Sequence, residues 1–327
     1  MDEIEERLRK MRPVGASRSM PVPEHMRERL ASIPEGGSAD SRRFNNRRLT
    51  LAGLAAVLVI AASVTVTFLN LGGGDAQAVT PPPLKFSSSG EGLSEVLATA
   101  IAKLSAEAGP TQAERSAQTL SWDVQMNLDS DDHVESLTLL PARWTTLTWA
   151  TDGSAETTVT AALPYWADKS ETATLPAPGT VLEHTTWAAG EAPQPSNDPP
   201  PATNVADLRA YLTSIGVPIE EQTTPRIFSE IANLLTIWTL TNAEEANILR
   251  LLGTDSSITS LGVAKDRVGR EVQGLRVTSE DGPGWNYTLL LSKETGRIVG
   301  YEQARLTAEG PLKAGDVIGY SLWEVGQ

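Results

Sequence analysis

Residues 271–306 read EVQGLRVTSEDGPGWNYTLLLSKETGRIVGYEQARL. Three runs rich in Val, Ile, Leu, Tyr and Trp are separated by Asp281-Gly282-Pro283-Gly284 and by the turn from Lys293 to Gly296. Short β-prone runs punctuated by such turn residues predict antiparallel strands at Glu271–Ser279, Trp285–Ser292 and Arg297–Leu306, joined as a meander. Gly296, after Lys-Glu-Thr, suits a turn position with positive φ.

Upstream the period changes to that of helices, over Asn204–Ile215, Pro225–Leu240 and Ala243–Leu252, with Asn242 able to cap the last of them. A loop over residues 189–203 precedes them, with Pro193, Pro195, Pro199, Pro200 and Pro201 close together. Before that loop the chain is strand-like again. Trp122, Val124, Met126 and Leu128 alternate with polar neighbours, Asp129–Asp132 turns, and further strands follow at Val134–Leu140, Arg143–Ala150, Glu156–Leu163 and Val181–Ala188. Leu93–Ala106 has apolar residues at i, i+3, i+4 and i+7 and is stopped by Gly109-Pro110, as a helix should be. Strands, then helices, then strands with hairpin connections indicate an α+β domain over residues 91–327. Its helices are expected on one face of a curved antiparallel sheet.

The 23 residues from Leu49 to Leu71, LTLAGLAAVLVIAASVTVTFLNL, contain no charge, and 17 of them are Leu, Ile, Val, Phe or Ala. As a helix they measure about 35 Å, enough for a hydrocarbon layer of about 30 Å. Arg42, Arg43, Arg47 and Arg48 stand immediately before this stretch, whereas residues 72–84 hold one acid and no base. By the positive-inside rule the chain is expected to cross the cell membrane once, with residues 1–48 cytoplasmic and the C-terminus extracytoplasmic. Ala76-Gln77-Ala78 is a triplet that a signal peptidase can read. A signal peptide is normally 15–30 residues in all, however, so the expectation is an uncleaved span. Residues 72–90, with Gly72-Gly73-Gly74 and Pro81-Pro82-Pro83, read as a tether.

Divided at this span, the formal charge of −14 becomes +3 for residues 1–48, with 11 bases and 8 acids, and −17 for residues 72–327, with 16 bases and 33 acids. An acidic outer part is repelled by anionic lipid and by nucleic acid, and no nucleic-acid partner is expected. With no cysteine there is no disulfide, no thiolate metal site and no cysteine nucleophile.

Two short amphipathic helices are expected in the tail, one with Ile4, Leu8 and Met11 on a face and one with Met26, Leu30 and Ile33. Each is about ten residues long, too short to be stable alone in water. They can lie in the groove of a cytoplasmic partner, remain frayed beside the membrane, or, through Arg7, Arg9, Lys10 and Arg12, rest on the inner leaflet.

The outer region offers little chemistry. His133 lies among Asp129, Asp131, Asp132 and Glu135, letters that suit a turn better than a Ca²⁺ loop, and His184 lies on a Thr-rich strand. No nucleophile elbow, phosphate loop, dinucleotide fingerprint or zincin helix is present, so no enzyme, metal or cofactor is expected. All eight tryptophans follow the span. Trp122, Trp144, Trp149 and Trp285 either fill the core between sheet and helices or line an apolar pocket for a lipid or other hydrophobic ligand.

A tail opening Asp2-Glu3-Ile4, a single span, Ala78-Val79-Thr80-Pro81-Pro82-Pro83-Leu84, then Leu261-Gly262, Asp266-Arg267-Val268-Gly269-Arg270 and Thr295-Gly296-Arg297-Ile298-Val299-Gly300 together resemble an actinobacterial family of single-pass membrane proteins. Its members are often encoded beside extracytoplasmic-function sigma factors. The resemblance implies an outer domain of the LolA/RseB type that senses the state of the envelope, and a tail that binds or sequesters a sigma factor. The chain departs from zinc-type anti-sigma factors, because a His/Cys zinc motif cannot be built without cysteine and 48 residues are few for a full sigma-binding domain. The other expectation is an extracytoplasmic binding protein for a hydrophobic ligand, merely tethered by the span.

Overall fold

The structure is a computed structural model that describes residues 80–128, 134–163, 176–191, 199–279 and 284–324. The tail, the predicted span and most of the tether lie outside these residues, as do the Asp129–Asp132 turn and His133. In chain order the elements are α1 (Leu93–Ala106), β1 (Ser116–Leu128), β2 (Val134–Leu139), β3 (Arg143–Trp149), β4 (Ala155–Ala161), β5 (Val181–Trp187), α2 (Val205–Ser214), α3 (Thr224–Leu235), α4 (Asn242–Leu252), β6 (Thr259–Lys265), β7 (Glu271–Ser279), β8 (Trp285–Ser292), β9 (Ile298–Arg305) and β10 (Val317–Leu322).

The strands form one antiparallel sheet in the order β5-β4-β3-β1-β10-β9-β8-β7-β6. Strand β1 has 13 residues and serves two partners in succession, β3 against Ser116–Ser121 and β2 against Val124–Leu128. On the other side of β1, β10 pairs Leu322 with Leu120 and Gly319 with Asp123. The C-terminal strand therefore joins two meanders, β1 to β5 and β6 to β10. This is the expected α+β arrangement. Among the described residues no helix is long and apolar enough to cross a membrane.

The helices cover one face of the C-terminal meander. Helix α3 places Ile227, Phe228, Ile231, Leu234 and Leu235 on one side, against a core that includes Leu275, Val277, Leu289, Leu291 and Tyr301. Removing such side chains from water contributes about 1.5–3 kcal/mol each, enough to hold a helix too short to persist alone. The opposite face of the sheet carries a second core of Leu120, Trp122, Val272, Leu290, Val299, Tyr320 and Leu322. Leu84 and Phe86 of the incoming chain pack on it. Both faces being covered, β9 is buried at nearly every position.

Several boundaries differ from the sequence reading, each for a local reason. Helix α3 stops at Leu235 rather than Leu240, because the next residues turn back to the sheet: Glu114 and Thr239 exchange two backbone hydrogen bonds of 2.9 Å. Thr241, not Asn242, caps α4, through a capping box with Glu244. Asn242 instead donates to the carbonyls of Leu104 and Glu107, at 2.9 and 3.0 Å, and closes the C-terminus of α1. Strands β6 and β10 were not expected; each is short and interrupted by a glycine, Gly262 or Gly319. Gly296 has φ 80°, and a Cβ there would stand 2.3 Å from the carbonyl oxygen of Ala100.

Candidate functional site

The chain arriving from the predicted span is seated on the sheet before it enters α1. Ser87 and Val263 of β6 exchange two backbone hydrogen bonds of 2.8 Å, so the segment extends the edge of the sheet by one bridge. Phe86 reaches back over β7, where Gly274 makes room for its ring; a Cβ on Gly274 would lie 2.3 Å from Phe86 Cε1. Gly262, with φ 88°, does the same for the backbone, since a Cβ there would lie 2.1 Å from the Ser87 oxygen. Pro81 is buried, Leu84 and Phe86 are half-buried, and Arg267 donates to the Pro82 carbonyl at 3.2 Å. Residues 80–87 form a strap in a seat that β6 and β7 shape for it.

Beneath the strap lies a buried charge cluster. The Arg267 guanidinium contacts Glu302 at 2.7 Å, with side chains 5% and 7% exposed, and stands 4.9 Å above the Tyr320 ring. Burial pushes the Glu302 carboxyl above its ordinary value, against the pull of Arg267 and Arg276. Burial likewise lowers Arg276. At the adjoining hairpin Asp266 accepts from the amides of Val268 and Arg270, at 3.0 and 2.8 Å, and from Arg270 Nε at 2.7 Å. Arg270 then donates to the carbonyls of Trp323 and Val299, at 2.6 and 3.0 Å, holding the end of β10 to β9.

A second cluster joins α4 to the turn between β8 and β9. Arg297 forms ion pairs with Glu245 and Glu324 and donates to Asn242 Oδ1 and the Leu240 carbonyl, at 2.9 Å each. Glu245 is fully buried and accepts from the Ile298 amide at 2.8 Å. Burial raises its carboxyl to about 7, although Arg297 and the Ile298 amide work in the opposite direction. Glu324 is raised by burial too, and its φ of 57° places it in the left-handed region. Gln118, Trp238 and Trp323 complete a cavity of about 30 Å³ at this cluster, room for one or two waters. The arrangement ties the helix layer to the sheet.

The tryptophans separate. Trp122 is 2% exposed and stacks on Tyr320 with ring centroids 6.2 Å apart. Trp144 and Trp285 are half-buried against the same second core, Trp285 beneath the Arg305 guanidinium at 4.5 Å. By strand alternation Trp149 lies on the other face, with Arg115 at 3.7 Å over its ring and 5.7 Å from that of Trp238. The structure thus brings Trp122, Trp144 and Trp285 to one core and sets Trp149 apart. The tail residues Ile4, Leu8, Met11, Met26, Leu30 and Ile33, and the arginines 42, 43, 47 and 48, lie outside the described residues. His184 is exposed, 3.1 Å from Thr158 Oγ1 and 3.8 Å from Glu156. Among the described residues no group of three or more His, Asp and Glu is placed to hold a metal ion.

Sequence reasoning missed the roles of Arg267, Arg270, Arg297, Gly262 and Gly274. All but Gly274 stand in the short motifs that suggested the family, and the signal available was that those motifs hold arginines beside turn glycines. No protein-family model matches the chain, and no curated protein matches it. Among solved structures it is similar to a chain in the complex structure of Pseudomonas aeruginosa MucA/MucB, at 10% identity and a TM-score of 0.26. The match covers 71% of this chain and 55% of that one, so the chain spans about half the length of the protein it matches.

Proposed function

We propose that this protein is a membrane-anchored regulator. In this reading residues 49–71 cross the membrane, the outer α+β domain is of the LolA/RseB type and responds to the state of the envelope, and residues 1–48 engage a cytoplasmic protein, a sigma factor by the family resemblance. The observation that supports it best is the seat of residues 80–87. A domain that merely hung from its anchor would need no shaped contact with its tether. Here Gly262 and Gly274 yield space to the strap, and Arg267 binds its backbone. Any ligand or load that moves β6 and β7 therefore reaches the chain that leads toward the span.

The test uses tagged full-length protein extracted from membranes. The expected result is stoichiometric recovery of one cytoplasmic protein that is lost on deleting residues 1–48, together with a change in transcription in the deletion strain. No such partner and no transcriptional change would reject the regulatory reading. A stoichiometric bound lipid in its place would favour a tethered carrier. Because the chain has no cysteine, single cysteines placed in the tail and in the outer domain, labelled from one side of intact cells, report the topology directly.

A further inference from the structure

The strap is attached more lightly than anything it touches. It shares one backbone bridge with β6, accepts one hydrogen bond from Arg267, and presents buried Pro81 and half-buried Leu84 and Phe86, whereas β8 pairs with β7 over all its residues and with β9 over Trp285–Leu291, with one irregularity at Leu290/Leu291. Its far end runs into Ser88-Ser89-Gly90, all exposed, with Gly90 at φ 75° and open space around it. Its near end follows Gly72-Gly73-Gly74. A segment held by one backbone bridge opens by itself before the sheet does. The seat, in contrast, belongs to the sheet: Gly274 pairs with Gly262 on one side and Leu290 on the other, and Arg267 is held by Glu302 as well as by Pro82.

We propose that residues 80–87 are a releasable latch that sets the length of the tether. This rests on the reading of residues 49–71 as a span. With the latch seated, the residues from Leu71 to Thr80 can span at most about 30 Å; with it released, those from Leu71 to Leu93 can span at most about 75 Å. Release also uncovers the places that Gly262 and Gly274 leave for the Ser87 backbone and the Phe86 ring. The regulated quantity is the distance the domain can stand from the membrane.

Amide hydrogen exchange on the full-length chain in nanodiscs tests this. The Ser87 and Val263 amides, which bond only to each other's residues, should exchange at least about 100-fold faster than the Leu290 amide of β8. Phe86→Ala should speed Ser87 and Val263 about tenfold further and leave Leu290 unchanged. In the double variant Ser87→Cys/Val263→Cys, the only thiols in the chain, oxidation should slow the amides of the strap toward the rate of Leu290, and reduction should restore the difference. Strap amides that exchange in step with Leu290, in the natural chain and in Phe86→Ala alike, would overturn the latch and make the strap an ordinary edge strand. A chain that fails to insert into the nanodisc overturns the membrane reading and with it the change of reach, while the exchange rates still decide whether the latch opens.

Discussion

Strands β3 to β5 and strands β7 to β9 are two parts of one sheet, built by the same antiparallel rule, yet they differ in every property that depends on what lies above and below them. Strands β7 to β9 have helices on one face and the strap and second core on the other, and most of their residues are buried, in β9 nearly all. Strands β3 to β5 are rich in threonine, and most of their side chains are half-buried or exposed. Their charges differ in the same way. Arg143 meets Asp123 at 2.8 and 3.2 Å with side chains 19% and 34% exposed, whereas Arg297 and Glu245 are 9% and 1% exposed. Where helices close over the sheet a charge must have its partner, whereas the N-terminal meander holds its pair half-exposed.

The largest difference between the two meanders is expected on removing Arg297 and Arg143. Arg297→Met leaves Glu245 buried without its partner and should cost about 3–5 kcal/mol in urea unfolding, against about 1 kcal/mol or less for Arg143→Met. Equal losses would mean that the two meanders are equally dry. Truncation of apolar side chains comes next. Leu290→Ala, at a site with no exposure, should cost about 2–5 kcal/mol, and Val159→Ala in the half-exposed β4 about 1 kcal/mol.

The pH dependence of stability separates the regions further. The Glu245 carboxyl lies at about 7 in the folded chain against an ordinary value of 4.5, so between those values the folded state holds a proton that the unfolded state has lost. Its contribution to the unfolding free energy is therefore full below about 4.5 and falls as pH rises to about 7. Glu245→Gln should remove that fall, seen as a flatter plot of denaturation midpoint against pH; an unchanged slope would place the titration elsewhere. The smallest effect belongs to the exposed side of the N-terminal meander, where Thr158→Ala should stay within about 0.5 kcal/mol of the natural chain. A larger loss would show that this face is covered in solution.

Much of the α+β arrangement is legible in the sequence, and most of what escaped has a common cause. Helix α1 agrees with its expected bounds because Val96, Leu97, Ala100 and Leu104 recur at helical spacing and are the residues that become buried. Strands β7 and β8 agree because turn residues bound them on both sides. Strand β6, interrupted by Gly262, escaped although it pairs with the next strand, and β10 escaped because it is a strand by lying between β1 and β9, one from each end of the domain. The arginines of the motifs were visible as letters, but a charge in a sequence is ordinarily a solvated one. Nothing near Arg297 in the chain announces Glu245, and nothing near Arg267 announces Pro82.

Periodicity, turn positions and the division of charge into a basic tail, an uncharged stretch and an acidic remainder belong to the sequence alone, since each depends on neighbours a few residues apart. Which face of a strand is covered, which carboxyl is held near neutrality and which glycines make room for the strap were decided only by the tertiary structure. Desolvation and close contact come from residues far away along the chain, and their strength is set by distance in space.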